Sequence, residues 1–280
     1  MPNVVLSSAV RSNVLQLQNT EKNQGIIQNR LATGLKVSTA LDDPRNFFQA
    51  QGLNFRANDL GRRLDGMGLA IKTMEAADKG ITALTKIVES MAAIVKDAID
   101  TPSARGDLQT EFNALREQMQ NLARDSGFNG INLLDGDTLT VNFNEQTTGA
   151  DASNLSVNGV DWAGTSDDPA GIEEAADWDD SDPAVADPAL AASETAIREG
   201  LQTLRQQAAT FGNNLTLVQI REDFTKDTIN TLKGGADGLT LADQNEEAAN
   251  LLALNTRQQL SQQALSLATQ SEQSILRLLG

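Results

Sequence analysis

The sequence predicts a mainly α-helical protein whose first and last helices are made to pack together, with a little strand and an acidic segment between them. Three observations carry that reading. Both ends of the 280-residue chain repeat residues on a 4-3 spacing, the a/d seam of a coiled coil. Hydrophobic residues make up 40% of the chain but aromatics only 4%, with two Trp and no Tyr. That balance suits helices of Leu, Ile, Val, Ala, Gln and Arg better than a β-sandwich. Finally, the net charge of −16 sits in one central segment: Asp125 to Ile197 holds 16 Asp or Glu and no Lys or Arg, leaving 22 acids against 22 bases on the flanks.

Residues 3–34 read as the first helix. Val10, Val14, Leu17, Glu21, Gln24, Gln28, Leu31 and Leu35 form its seam, and the middle of that seam is polar. Gly34 breaks the pattern, and Leu35 to Pro44 reads as an elbow that ends in helix-start signals, with Asp42 or Asp43 to cap and Pro44 in the first turn. From Pro44 to Asp100 a core face runs through Leu60, Leu64, Met67, Ile71, Met74, Ile81, Leu84, Val88, Met91 and Val95, and Gly61, Gly66, Gly68 and Gly80 weaken the helix locally, leaving room for a kink. Residues 104–126 follow as a helix with Leu108, Phe112, Leu115, Met119 and Leu122 on one side. The stretch Ser126 to Gly136 is turn-like and TLTVNFN alternates as a strand. Residues 146–190 have few core-forming side chains, and read as short strands or loops at the surface. Helix returns from Pro188 to Leu232, breaks at the glycine-rich stretch Lys233 to Asp243, and resumes after Asp243 to Leu279 with Leu254, Gln258, Ser261, Leu265, Ala268, Glu272, Ile275 and Leu279 on the second 4-3 seam.

The missing residue types exclude much chemistry. With no His and no Cys, there is no Ser-His-Asp triad, no Cys nucleophile, no structural zinc site and no imidazole base. No phosphate-binding GxxxxGK[ST] and no GxGxxG after a strand is found. No catalytic, cofactor or metal-ligating residues are therefore assigned, and the expectation is that the protein is not an enzyme. Stability must come from packing without disulfides. The first twenty residues mix polar and apolar types, and no run could span a bilayer, which fits a cytoplasmic chain or one exported without a cleaved signal. The acidic segment argues against nucleic acid or an anionic membrane as partner and for a solvated, repelling surface. The run Asp177 to Asp182 is a weaker candidate for calcium, because it lacks the Gly and distal Glu of an EF-hand.

The terminal helices differ from ordinary core helices. Residues 242–280 hold ten Asn or Gln, and from Ala248 onward only Arg257, Glu272 and Arg277 are charged. Copies of one helix packing on each other would repel through like charges, whereas amides can hydrogen-bond without that cost. Seams this polar bury little apolar surface, so the ends are expected to be loose alone and to order on assembly. A closed four-helix bundle whose terminal pair is its edge fits the periodicity equally well.

Four segments, in order, resemble bacterial flagellins: RLATGLKVSTALDDPRNFF (Arg30 to Phe48), DGMGLAIKTMEAADKGITAL (Asp65 to Leu84), SGFNGINLL (Ser126 to Leu134) and the stretch Ala242 to Leu279. The wording is most similar to alphaproteobacterial members. The resemblance implies a coiled-coil-like inner domain from residues 1–44 and 241–280, a helical rod domain with a small β-hairpin from 45–145 and 190–240, and a short acidic surface lobe at 146–189. It implies a filament subunit that polymerises with itself, is exported unfolded through the flagellar type III apparatus, and meets an export chaperone near Leu251 to Leu279, as well as filament cap and hook-junction proteins. The assembly seam would comprise Val10, Val14, Leu17, Leu31, Leu35, Leu254, Leu265, Ala268, Ile275 and Leu279. Lys86, Ile87 and Glu89 fall where enteric flagellins carry Q-R-V-R-E-L, read by an animal Toll-like receptor; two arginines are replaced, one by an acid, so weak recognition is expected. Thr165 and Ser166 are candidate glycosylation sites. Some members hold a zinc protease in the central region, and without His this chain cannot form its HExxH site. The competing readings are a hook–filament junction protein and a secreted module with an acidic calcium- or glycan-binding lobe. A filament subunit is expected to polymerise without residues 146–190, and a binding module to lose its ligand.

Overall fold

The computed structural model describes residues 8–146, 149–164, 172–179 and 181–279, and at 9, 272 and 275–279 the backbone alone. It contains helices α1 (Ser8–Thr33), α2 (Pro44–Asp100), α3 (Arg105–Asp125), α4 (Pro183–Thr240) and α5 (Gln244–Leu279), with strands β1 (Thr138–Asn142) and β2 (Asn154–Asn158) between α3 and α4. The chain folds as two compact units, residues 1–55 with 231–280, and residues 56–230. Helices α2 and α4 contribute to both.

In the first unit α1 packs along α5. Gly34, at φ +73, ends α1 and donates its amide to Arg30 O at 2.7 Å, the left-handed cap that glycine takes without strain. The elbow then pairs with the chain between α4 and α5. Lys36 N donates to Thr240 O at 2.8 Å, Ala242 N donates to Gly34 O at 2.9 Å, and Leu35 sits opposite Leu241. Asp43 caps α2 through Asn46 N, and Asp243 caps α5 through Asn245 N and Glu246 N.

The break expected from Lys233 to Asp243 narrows to a few residues, because α4 stays helical through Thr240. Gly234, Gly235 and Gly238 each cost about 1 kcal/mol of helix propensity. Packing outweighs that cost: Ala236 is buried, Leu53 lies over Gly235, and the Lys36 ammonium donates to Gly238 O.

The second unit carries the main core. On α2, Met67, Met74, Ile81, Leu84, Val88, Met91 and Val95 point inward. On α4 the inward residues Leu190, Ile197, Leu204, Phe211 and Val218 recur every seventh position. Phe112, Met119 and Ala123 of α3 complete the helical layer. Among the described Met and Trp side chains, Met67, Met74, Met91, Met119, Trp162 and Trp178 are all at 1% exposure or less.

Helix α2 runs unbroken through the four glycines that weaken it locally. At Gly80 the small residue is required by a close contact. A Cβ there would lie 2.5 Å from Leu134 Cδ1 and 2.6 Å from Ser126 Oγ, so the turn after α3 sits directly on the α2 backbone.

The central segment contains a short strand, as expected, but it also sends side chains into the core that the sequence reading left at the surface. Strand β2 pairs antiparallel with β1, Thr138 opposite Asn158, and Leu139, Val141 and Val157 turn into the core. Beyond it Trp162, Ile172, Ala175 and Trp178 are buried. Helix α3 holds this strap by its backbone. Asn113 clasps Ala175 from both sides, donating to its O at 3.0 Å and accepting from its N at 2.8 Å. Gln109 accepts from Trp178 N, Arg116 donates to Ile172 O, and Arg124 donates to Ala163 O. Helix α4 then starts at Pro183, capped by Asp182 through Ala184 N.

Candidate assembly interface

The contact between α1 and α5 is the arrangement that the terminal repeats foreshadow. Val10 is buried, and Val14, Leu17, Leu31 and Leu35 are half-buried on the α1 side. Leu254, Leu265 and Ala268 are half-buried on α5, together with Leu251, Gln258 and Ser261. The side chains of Glu272, Ile275 and Leu279 lie outside the described residues.

The middle of the α1 seam is corrected by one position. Glu21 and Gln28 are exposed, and Thr20 and Ile27 take the inner places. Thr20 is 4% exposed and satisfies its hydroxyl on Gln16 O at 2.9 Å, so it can turn inward without an unpaired polar group, as a Glu carboxylate there could not.

Gln24 and Arg30 of α1 make polar links across the pair. Gln24 donates its Nε2 to Asn255 Oδ1 at 2.9 Å and to Gln258 Oε1 at 3.1 Å. Arg30 Nη1 meets Glu247 Oε1 at 2.9 Å. Glu247 was invisible to the leucine pattern, yet it continues the 4-3 spacing backward through Leu251, which was the available signal.

Outside this seam the unit displays apolar side chains. Leu252, Leu260 and Leu267 of α5 are 69%, 63% and 65% exposed, and Leu15 and Ile26 of α1 are exposed as well. Leu260 and Leu267 are one heptad apart, so α5 carries a second apolar stripe that the inner repeat does not use.

The elbow beside the pair is fixed by Asp42. Its Oδ2 accepts from Ser38 N, Ser38 Oγ, Thr39 N and Thr39 Oγ1. The backbone amides of Thr39 and Ser38, then their hydroxyls, hold its carboxyl below the usual carboxylate range.

On α2, Lys86 and Glu89 are exposed, Ile87 is half-buried and Val88 points into the core. In the acidic run, Asp177 and Asp179 are exposed around buried Trp178, while Asp182 caps α4; Asp180, Thr165 and Ser166 lie outside the described residues. No cluster of three metal-ligating side chains occurs among the described residues. No described helix is long and apolar enough to cross a membrane.

Comparison with known proteins decides what this pairing of ends belongs to. Residues 4–138 match the family described as bacterial flagellin N-terminal helical region, and residues 195–279 match the bacterial flagellin C-terminal helical region. The chain belongs to the bacterial flagellins. It is 28% identical to Flagellin FljM of Caulobacter vibrioides over 259 residues, covering 90% of this chain and 89% of that protein. To the Flagellin of Brucella melitensis it is 26% identical over 290 residues, covering 99% of both. To Flagellin C of Rhizobium meliloti it is 37% identical over 82 residues, 29% of this chain and 26% of that one. These relatives are alphaproteobacterial, as the wording of the segments implies. As a flagellin the chain is a structural subunit of the extracellular flagellar filament rather than an enzyme.

Proposed function

We propose that this flagellin polymerises through its paired ends, with the α1–α5 seam forming within each subunit and the outer stripe of α5 packing against neighbouring copies. The observation that carries the proposal is the exposure of Leu252, Leu260 and Leu267 on the part of α5 where, from Ala248 onward, only Arg257, Glu272 and Arg277 are charged. Side chains of that kind each gain about 1.5–3 kcal/mol when fully covered, and a helical homopolymer supplies identical neighbours to cover them.

The same apolar stripe needs protection before assembly. An export chaperone that covers Leu251 to Leu279, unfolded passage through the flagellar export apparatus, and later contact with cap and hook-junction proteins form one consistent route. Half-buried Ile87 and exposed Glu89 stand where the receptor-read pattern carries its two arginines, so weak activation of the animal receptor is part of this reading. A reporter-cell assay with full-strength activation would remove that part.

The decisive experiment trims both ends with a mild protease and compares full and trimmed chains by electron microscopy. Long filaments from the full chain and monomers from the trimmed one are expected. Termini that resist the protease, with no filament under any condition, would overturn the proposal.

A further inference from the structure

The sequence contains two Asn-Gly pairs, Asn129-Gly130 and Asn158-Gly159, and the fold treats them in opposite ways. Asn-Gly is the dipeptide whose side-chain amide is most open to attack by the next backbone nitrogen, because glycine has no side chain to obstruct it. Whether that attack proceeds depends on whether the nitrogen is free and the peptide can rotate.

Asn158 lies in β2 opposite Thr138, accepts from Thr138 Oγ1 through its side chain, and accepts from Gln207 Nε2 through its carbonyl. The Gly159 amide donates to Asp137 O at 2.8 Å, and its Cα packs so closely that an added Cβ would lie 2.4 Å from Leu133 O. Both the nucleophile and the rotation it needs are locked.

Asn129 and Gly130 form the tip of a tight turn, at φ 53 and 79, whose flanks are joined by Phe128 N to Ile131 O at 2.9 Å and Ile131 N to Phe128 O at 3.1 Å. Both tip residues are exposed, and a Cβ on Gly130 would meet nothing within 4 Å. Among the described residues none hydrogen-bonds to the Asn129 side chain or to the Gly130 amide. The peptide between them is the one link of the turn that can rotate without losing a partner of its own.

We infer that Asn129 is a site of spontaneous deamidation in the folded protein and that Asn158 is protected. Gly130 N bonds to Asn129 Cγ, the Cγ–Nδ2 bond breaks, and ammonia leaves with the proton from Gly130, closing a five-membered imide. Water then opens the imide at either carbonyl to give Asp or isoaspartate, with no change of oxidation state. The rate rises with pH because the attacking nitrogen must lose its proton. The product adds a negative charge, and the isoaspartate form adds a backbone atom to a turn whose flanks, through Ser126 and Leu134, rest on Gly80.

The test incubates the full-length protein in mildly alkaline buffer and follows both Asn-Gly peptides by mass spectrometry, with isoaspartyl methyl transfer as a second readout. Asn129 is expected to convert about tenfold or more faster than Asn158, Asn129→Gln to remove the signal, and the chain unfolded in urea to convert both at similar rates. Equal rates in the folded protein, a faster Asn158, or a silent Asn129 would overturn the inference. So would an Asn158 that stays silent after unfolding, since the fold would then not be what protects it.

Discussion

Arg30 and Glu247 meet across the terminal helix pair at 2.9 Å, the guanidinium side chain 37% exposed and the carboxylate side chain only 11%. The asymmetry matters more than the contact. Removing the arginine leaves a largely buried carboxylate with no partner, whereas removing the acid leaves an arginine that can turn to water. Arg30→Met is therefore expected to loosen the pair by about 2 kcal/mol and Glu247→Gln by about 1 kcal/mol, after allowance for solvent screening of the arginine. Hydrogen exchange in the first turns of α5 measures both, and equal losses would contradict the argument.

Asp42 makes the elbow acid-sensitive. Its carboxyl is held below the usual range by the amides and hydroxyls of Thr39 and Ser38, so the unfolded state takes up the proton first as acid is added. Its contribution to stability is complete above the ordinary carboxylate pKa and is lost as the pH falls through the lower, folded value. Exchange of the Ser38 and Thr39 amides should accelerate over that acid window in the native protein. In Asp42→Ala it should be fast already at neutral pH, without the acid step.

The central strap changes what a deletion does. Removal of residues 146–190 strips β2, both Trp and Ile172 from the core, so the filament subunit is expected to lose its second unit rather than polymerise unharmed. Trp178→Ala alone should cost about 3–5 kcal/mol in chemical denaturation. Asn113→Ala, which unpairs both backbone groups of Ala175, should cost about 2 kcal/mol. A deletion variant of full stability would restore the surface-lobe picture.

How much of this was legible depended on how local the signal was. The α5 seam could be read directly, because Leu254, Leu265 and Ala268 repeat within one helix. The slip in α1 could not, because Thr20 and Glu21, or Ile27 and Gln28, are adjacent residues and only the cross-helix partner decides which turns inward. The strap was opaque for another reason. It is held by hydrogen bonds to backbone groups, which leave no residue signature of their own. Gln109, Asn113 and Arg116 do fall at i, i+4 and i+7 on α3, a polar stripe at helical spacing that points to a neighbour. At 233–238 local propensity and tertiary packing disagreed, and packing won.

Two glycines of α2 should answer oppositely to the same change. Gly80→Ala pushes a Cβ into Leu134 and Ser126 and should destabilise by about 1–3 kcal/mol despite the better helix former. Gly66→Ala meets nothing within 4 Å and should stabilise by about 0.5–1 kcal/mol. Thermal unfolding of the two variants side by side gives the comparison, and a shift of the same sign in both would count against the close packing at Gly80.

Two leucines of α5 separate folding from assembly. Leu265→Asp places a charge in the seam against α1 and should disrupt the helix pair within the subunit. Leu260, 63% exposed, can become Asp with a change of less than about 0.5 kcal/mol in the isolated subunit, yet polymerisation should fail. Circular dichroism and electron microscopy on both variants distinguish the roles. Filaments from Leu260→Asp would mean that the outer stripe does not bind neighbours.

The burial of every described Met and Trp has a chemical consequence. A peroxide meeting the folded subunit finds no thiol, phenol or imidazole anywhere in the sequence. The thioethers of Met67, Met74, Met91 and Met119 and the indoles of Trp162 and Trp178 lie behind packed side chains. Sulfoxide at those four positions requires the core to have opened first. Oxidised core methionine in this flagellin is thus a record of past unfolding, and among the described residues the intact subunit offers oxidants no exposed thioether or indole.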